Sequence, residues 1–136
     1  MTDYPCKPMT EQQIEDFLSD VRNATLGTNR PDGAPQLSTM WFLYEQGQIY
    51  IGFEARSAKN NNIQRDPRVC FCAGGVHPDS RNVTIYGTAK FIDNDDPRFD
   101  DISNRISARY NSANETDPNR VLIVIKPEKT VAMDYN

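Results

Sequence analysis

The sequence predicts a strand-dominated fold, an antiparallel β-barrel with peripheral helices. Three observations predict it. Roughly six or seven short apolar runs alternate with a period of two or read as buried strands. Most are joined by turns too short to hold a crossover helix, which parallel neighbours would require. Only two stretches carry a sustained helical period, so helices decorate the sheet rather than alternate with it.

Thr10-Glu11-Gln12-Gln13 has the form of a capping box, and Ile14, Phe17, Leu18 and Val21 follow at helical spacing. They make an amphipathic helix of about three turns. Asn23 to Thr28 reads as a short strand, and Arg30-Pro31-Asp32-Gly33 supplies turn chemistry. Pro35 to Tyr44 is the hairpin partner, and Glu45-Gln46-Gly47 turns the chain into the strand Gln48 to Phe53. Val69 to Ala73 is almost continuously apolar and is expected to be buried on both faces, with Cys70 and Cys72 as core thiols. Gly74 to Ser80 is a loop. From Asn82 to Asp93, Val83, Ile85, Gly87, Ala89 and Phe91 alternate with Thr84, Tyr86, Thr88, Lys90 and Ile92. Asp93 to Pro97 caps a second helix marked by Phe99, Ile102, Ile106 and Tyr110. Asn111 to Asn119 reads as an exposed loop. Val121 to Ile125 is a strand ending at Lys126-Pro127, and Thr130 to Met133 is a last short one.

The chain has 136 residues, which suits one domain over residues 1–136. A net charge of −4 argues against a general nucleic-acid surface, and an OB-like nucleic-acid barrel fails also for want of aromatics flanked by basic residues. Three cysteines, an odd number, argue against a disulfide framework and for a reducing compartment. A metal is not expected with His77 as the single imidazole. No apolar run approaches membrane-spanning length, and Met1 to Met9 lacks a signal-peptide core. The expectation is a cytoplasmic protein.

The segment with most chemistry runs from Ala55 to Arg68, between two apolar runs, as turn and short helix. Ser57 is a natural N-cap, and the first turn of the helix leaves backbone N–H groups without intrahelical acceptors. Arg56 and Lys59 flank that turn. N–H donors, the positive helix end and two cations meet at one place, the chemistry of a phosphate site.

Ordered motifs extend this reading. Leu26-Gly27-Thr28, Asp32-Gly33-x-Pro35-Gln36-Leu37-Ser38, Trp41-Phe42, Arg56-Ser57-Ala58-Lys59-x3-Ile63-x2-Asp66-Pro67-Arg68, Gly87-Thr88-Ala89 and Arg109-Tyr110 occur in sequence. The series resembles the pyridoxamine 5′-phosphate oxidase-like, flavin-binding split-barrel superfamily, and most of all its small branch of deazaflavin (F420)-dependent oxidoreductases. The resemblance implies an FMN-binding type of split barrel that forms a homodimer, with a cofactor in each of two interface grooves. It implies that Ser57 and Lys59, with Arg56, hold the cofactor phosphate. It further implies that Gln36, Leu37, Ser38, Thr39, Met40 and Trp41 lie along the ring and offer main-chain groups to its polar edge. F420 is the favoured cofactor and FMN the alternative. Arg56, Arg65 and Arg68 are the nearby cations in sequence for an acidic cofactor tail. Asn60-Asn61-Asn62 stands where relatives carry a more basic run. No His follows His77, so the resemblance does not carry oxidation of vitamin B6 itself.

Trp41 and Phe42 must face opposite ways on one strand, so one is core and the other faces a groove or a partner. Tyr110 is expected to pack its ring and bond its hydroxyl, Asp66 to pair locally with an arginine, and His77 to be exposed. No nucleophilic triad is present, and reactivity would come from a bound cofactor. The sequence therefore points to an oxidoreductase passing hydride to a small conjugated acceptor. The alternative is a non-catalytic flavin- or deazaflavin-binding protein for storage, buffering or sensing.

Overall fold

The computed structural model describes residues 6–112 and 118–136. Most of the expected loop between Asn111 and Asn119 lies outside the described residues. The chain runs β1 (Lys7–Pro8), α1 (Glu11–Asp20), β2 (Ala24–Asn29), β3 (Pro35–Thr39), β4 (Phe42–Glu45), β5 (Gln48–Glu54), α2 (Ala58–Arg65), β6 (Arg68–Gly74), β7 (Asn82–Ile92), α3 (Pro97–Arg109) and β8 (Arg120–Asp134). All strand pairs are antiparallel, in the order β3-β2-β6-β7-β8-β5-β4, with β1 on the far end of β8. Among the described residues no helix is long and apolar enough to cross a membrane.

One topological fact makes the sheet a barrel. β3 and β4 are its two edge strands, yet only Met40 and Trp41 separate them in the chain. The sheet must curl until its edges nearly meet, and they do not pair, which leaves the barrel split between them. The expected single strand from Pro35 to Tyr44 is therefore two strands broken at Met40-Trp41. The break turns the chain from one edge to the other, and no apolar alternation announces it.

The barrel interior is filled by Leu26, Phe42, Ile51, Phe71, Ile85 and Ile123, all essentially buried, with Phe17 and Leu18 of α1 closing one end. α1 starts as its sequence dictates. Thr10 accepts from Gln13 N–H at 3.2 Å, and the Gln13 side chain accepts from Thr10 N–H at 2.8 Å. The β4–β5 hairpin turns on Gln46 and Gly47, both at positive φ, which matches strand twist.

Three expectations need correction. β6 is buried on one face only: Val69, Phe71 and Ala73 point inward, whereas Cys70 is half-buried and Cys72 exposed on the outer face. Period-two geometry put both thiols on one side, and that side is outside. Phe91 is exposed at the barrel end, and Ile92 is buried instead, under α3. Finally, Pro127 does not end a strand. β8 is continuous, and a bulge places Glu128 as an extra residue between the pairs Tyr86↔Lys129 and Gly87↔Pro127. A bulge is where a sheet tolerates proline. Gly87 makes the close approach possible, since a Cβ there would lie 2.3 Å from the Lys126 carbonyl oxygen.

Candidate functional site

The turn after β5 brings the expected phosphate residues to one corner. Ser57 occupies the N-cap position with extended backbone, but its side chain does not cap α2. Its hydroxyl donates backwards to the Glu54 carbonyl at 2.7 Å, and its N–H donates to the same oxygen at 3.0 Å. Asn60 N–H donates to the Ser57 carbonyl at 3.1 Å, and the N–H groups of Ala58 and Lys59 are left to a ligand or to water. That corrects the expected side-chain cap: the Ser57 carbonyl, not its hydroxyl, serves the first turn.

Lys59 sits beside this turn, half-buried, with Nζ 5.5 Å from the centre of the Phe53 ring. Burial pushes its ammonium pKa below the usual lysine value, and the Glu54 carboxylate partly offsets the shift. Lys59 makes no carboxylate ion pair among the described residues. A desolvated cation of this kind gains from an incoming anion. Arg56 is far more exposed and pairs with Glu54 at 2.8 Å. A cavity of about 560 Å³ adjoins the turn at Glu54, Ala55, Arg56 and Asn119, and neither Ser57 nor Lys59 borders it. The donor set thus fits a phosphate, with one carboxylate, Glu54, on the same corner.

β3 supplies the second half of the expected site. Gln36 and Ser38 are half-buried on one side of the strand, whereas Leu37 and Thr39 are exposed on the other. Met40 N–H donates to the Ala24 carbonyl at 3.0 Å and Arg30 N–H to Ala34 at 2.9 Å, in phase with β2–β3 pairing. Alternation then turns the backbone groups of Leu37 and Thr39 away from β2, to the free edge. A strand edge with unpaired amides can read the polar rim of a flat ring.

Trp41 and Phe42 diverge as expected: Phe42 is wholly buried and Trp41 is 44% exposed. The indole stacks on Tyr110 at 4.8 Å between centroids and 7° between planes. Tyr110 is held in turn, its hydroxyl donating to the Arg22 carbonyl at 2.8 Å and accepting from Phe42 N–H at 3.2 Å. Arg109, half-buried over Phe42, donates to the Phe42 carbonyl and the Tyr110 hydroxyl and to the Leu18 and Val21 carbonyls at the end of α1. Sequence reading placed Tyr110 correctly and missed what Arg109 does. Met40 packs against the core.

Arg65 and Arg68 do not join the phosphate corner. Arg65 is six positions beyond Lys59 on the helix, a rise of about 9 Å. Arg68 forms a paired contact with Asp66, at 2.9 and 2.7 Å, as expected of that local sequence. With Arg30 these arginines rim a different groove of about 800 Å³ on the outer face, floored by Leu37, Cys70 and Tyr86. His77 is exposed in the β6–β7 loop.

What the sequence did not announce is the tie between the two halves. Asn62, 4% exposed, donates through Nδ2 to Gln36 Oε1 at 2.8 Å and to Thr28 Oγ1 at 3.1 Å. Asn60, also buried, donates to the Ala55 carbonyl at 2.8 Å. Two of the three consecutive asparagines are thus internal struts. The signal was there: asparagine is a poor helix former, and three in a row inside a helix need a reason.

Comparison with known proteins places this geometry among others. The pyridoxamine 5′-phosphate oxidase family model matches residues 10–134. The conserved protein of unassigned function Rv2991 from Mycobacterium tuberculosis is 29% identical, with a TM-score of 0.80 over 94% of this chain and 86% of that one. A provisional pyridoxamine 5′-phosphate oxidase from Listeria innocua is 26% identical, with a TM-score of 0.76 over 89% and 96%. An F420 reductase shares the fold at 24% identity, with a TM-score of 0.72 over 85% and 94%. No curated protein matches the sequence.

Proposed function

The chain belongs to the pyridoxamine 5′-phosphate oxidase family, and from that premise we propose that it is a cofactor-dependent oxidoreductase using a phosphorylated flavin or deazaflavin. The observation that carries this reading is the corner at the start of α2, where the Ala58 and Lys59 N–H groups and the half-buried Lys59 ammonium are left without an anionic partner of their own among the described residues.

In this reading Lys59, the first-turn amides of α2 and Arg56 bind the phosphate. Arg56 exchanges its exposed contact with Glu54 for the stronger charge of the ligand. The free edge of β3, through Leu37 and Thr39, lines the ring, with Gln36, Ser38 and Met40 shaping the strand. Trp41, held flat by Tyr110, closes the end of the strand. When bound, the cofactor supplies hydride transfer to a small conjugated acceptor, and the chain's part is orientation and exclusion of water. We favour F420 over FMN because the Trp41-Phe42, Asp66-Pro67-Arg68 and Arg109-Tyr110 pattern resembles that branch. Arg65 is at the far end of α2 and Arg68 is on β6, paired with Asp66, so no observed cluster of cations marks a place for an acidic tail, and that preference rests on sequence pattern alone.

We also propose a homodimer, closed through the outer sheet face. There the paired positions Leu37, Gly27, Cys70 and Tyr86 form one cross-strand row, and Thr25, Cys72, Thr84 and Val131 a second. Leu37 is 70% exposed and Tyr86 49%, an apolar surface suited to a partner of the same kind.

Calorimetric titration of apo protein with F420 and with FMN tests the function, followed by anaerobic mixing of the reduced complex with conjugated acceptors. Binding of either cofactor that is lost in Lys59→Ala supports the site. Binding of neither overturns it. Binding without reoxidation by any acceptor favours the storage or sensing reading.

A further inference from the structure

We propose that Arg65 and Asn62 are positioning residues that fix the hydrogen-bond polarity of Gln36, so that Gln36 meets the bound ring as a donor. The inference rests on the reading that the ring lies along β3.

The argument starts from a group with only one option. A guanidinium has five N–H donors and no acceptor. Arg65 donates to the Asn62 Oδ1 at 3.2 Å and to the Asn29 carbonyl. The Asn62 amide is thereby turned with its oxygen toward Arg65, and only its Nδ2 remains for the barrel side. Nδ2 has two hydrogens, and both are used, on Thr28 Oγ1 and Gln36 Oε1. Gln36 therefore receives a donor at its oxygen. What remains of its amide is Nε2, which makes no hydrogen bond to the described residues. Donor direction thus passes from Arg65 through Asn62 to Gln36 and ends as N–H groups beside the edge strand.

The location gives this order a purpose. Thr28 and Asn62 are buried, at 3% and 4% exposure, so a reversed amide would leave unsatisfied polar atoms inside the protein. The orientation is held by the fold rather than chosen by the ligand. The polar rim of a flavin or deazaflavin carries two carbonyl oxygens and a ring nitrogen that accept, with a single N–H donor between the carbonyls, so a protein donor is the match at most of its positions. A fixed donor there favours the reduced ring, on which negative charge accumulates, and disfavours ligands that present donors. The second buried asparagine, Asn60, anchors the phosphate turn through Ala55, so α2 fixes both ends of the ligand.

The test reverses polarity without removing the side chain. Asn62→Asp is nearly isosteric and keeps a partner for Arg65, but a carboxylate only accepts. Gln36 must then turn Nε2 toward residue 62 and present its oxygen to the ring. Wild-type and variant protein are titrated with FMN and with F420, and the midpoint potential of the bound cofactor is measured. The expected result is about tenfold weaker binding, the equivalent of one lost hydrogen bond with an acceptor facing an acceptor. The midpoint should move to lower potential. Lys59→Ala should weaken binding with the midpoint unchanged, which a merely structural role for Asn62 would mimic. Gln36→Glu leaves Asn62 in place and puts an acceptor at the ring directly, so it decides the matter even if Asn62→Asp does not fold. Affinity within twofold of wild type and an unmoved midpoint in the folded variants overturn the inference while the cofactor site stands. Failure of the wild-type protein to bind either cofactor overturns both.

Discussion

Leu122 and Tyr86 point outward from adjacent strands of the same sheet, yet Leu122 is fully buried and Tyr86 is 49% exposed. The difference is α3. Its residues Phe99, Ile102 and Ile106 cover the outer side of β5, β8 and the end of β7, against Tyr50, Leu122 and Ile92. Over β3, β2, β6 and the start of β7 the same outer side carries no helix among the described residues, and its apolar residues there are exposed. One end of the sheet is finished by the chain itself, and the other is suited to be finished by something else. The candidate site lies at the seam between edge strands β3 and β4, so β3 belongs at once to the site and to the bare face. Cofactor binding and association should therefore be coupled through Leu37.

The largest expected effects separate the two faces by stability. Leu122→Ala removes a buried side chain packed beneath α3 and should cost about 2–5 kcal/mol, whereas Tyr86→Ser on the bare face should change the stability of the isolated subunit by less than about 0.5 kcal/mol. Urea melts at low protein concentration measure both. Equal losses would mean that the two faces do not differ as their exposure suggests.

The reverse experiment reads association. Leu37→Glu and Tyr86→Lys place charge in the outer row and should abolish a homodimer, seen as halved mass by light scattering, with each subunit still folded. An assembly of unchanged mass would move the interface elsewhere. If wild-type protein is monomeric at micromolar concentration with and without cofactor, the bare face has another purpose.

Next in size is the site itself. Lys59→Ala should weaken binding of the phosphorylated cofactor by about 1.5–3 kcal/mol, ten- to a hundredfold, and leave the melting temperature nearly unchanged. An unchanged dissociation constant would take the phosphate away from this corner.

These regions also differ in how far the sequence disclosed them. The helices, the hairpins and the chemistry at Arg56, Ser57 and Lys59 follow from local rules: capping boxes, period two, cationic flanks. Which side of β6 faces outward does not, because Val69-Cys70-Phe71-Cys72-Ala73 is apolar on both sides and only the tertiary position of α3 decides what is covered. The break at Met40-Trp41 and the uninterrupted course of β8 past Pro127 depend on barrel closure and on Gly87, a strand away. Asn62 was visible only as an oddity. Its partners Thr28, Gln36 and Arg65 are scattered over the chain, and nothing local predicts that they meet.

The smallest expected effect concerns acid. Asp66 on the bare side and Asp96 at the start of α3 are built alike. Each accepts from the backbone N–H two residues on and from the arginine there, Arg68 or Arg98. The arginine's side-chain hydrogen bonds hold both carboxyls below the ordinary aspartate range, most of all at Asp66. A carboxyl with a depressed folded-state pKa contributes stability that is complete above the unfolded value of about 4 and is lost as pH falls through the folded value. Both Asp66→Asn and Asp96→Asn should therefore lose a small, solvent-screened stability at neutral pH and flatten the fall below about pH 4, so that variant and wild type converge in acid. Asp96 has a second task as N-cap of α3, so its variant should lose somewhat more at neutral pH, because asparagine caps in place of aspartate but no longer pairs with Arg98 or favours the helix dipole, and this extra loss should fade as acid protonates wild-type Asp96. Asp66 has no helix to start. If thermal melts across the acid range give the two variants the same loss at neutral pH, then the cover that α3 provides does not depend on how α3 begins, and the contrast between the two faces rests on its packed residues alone.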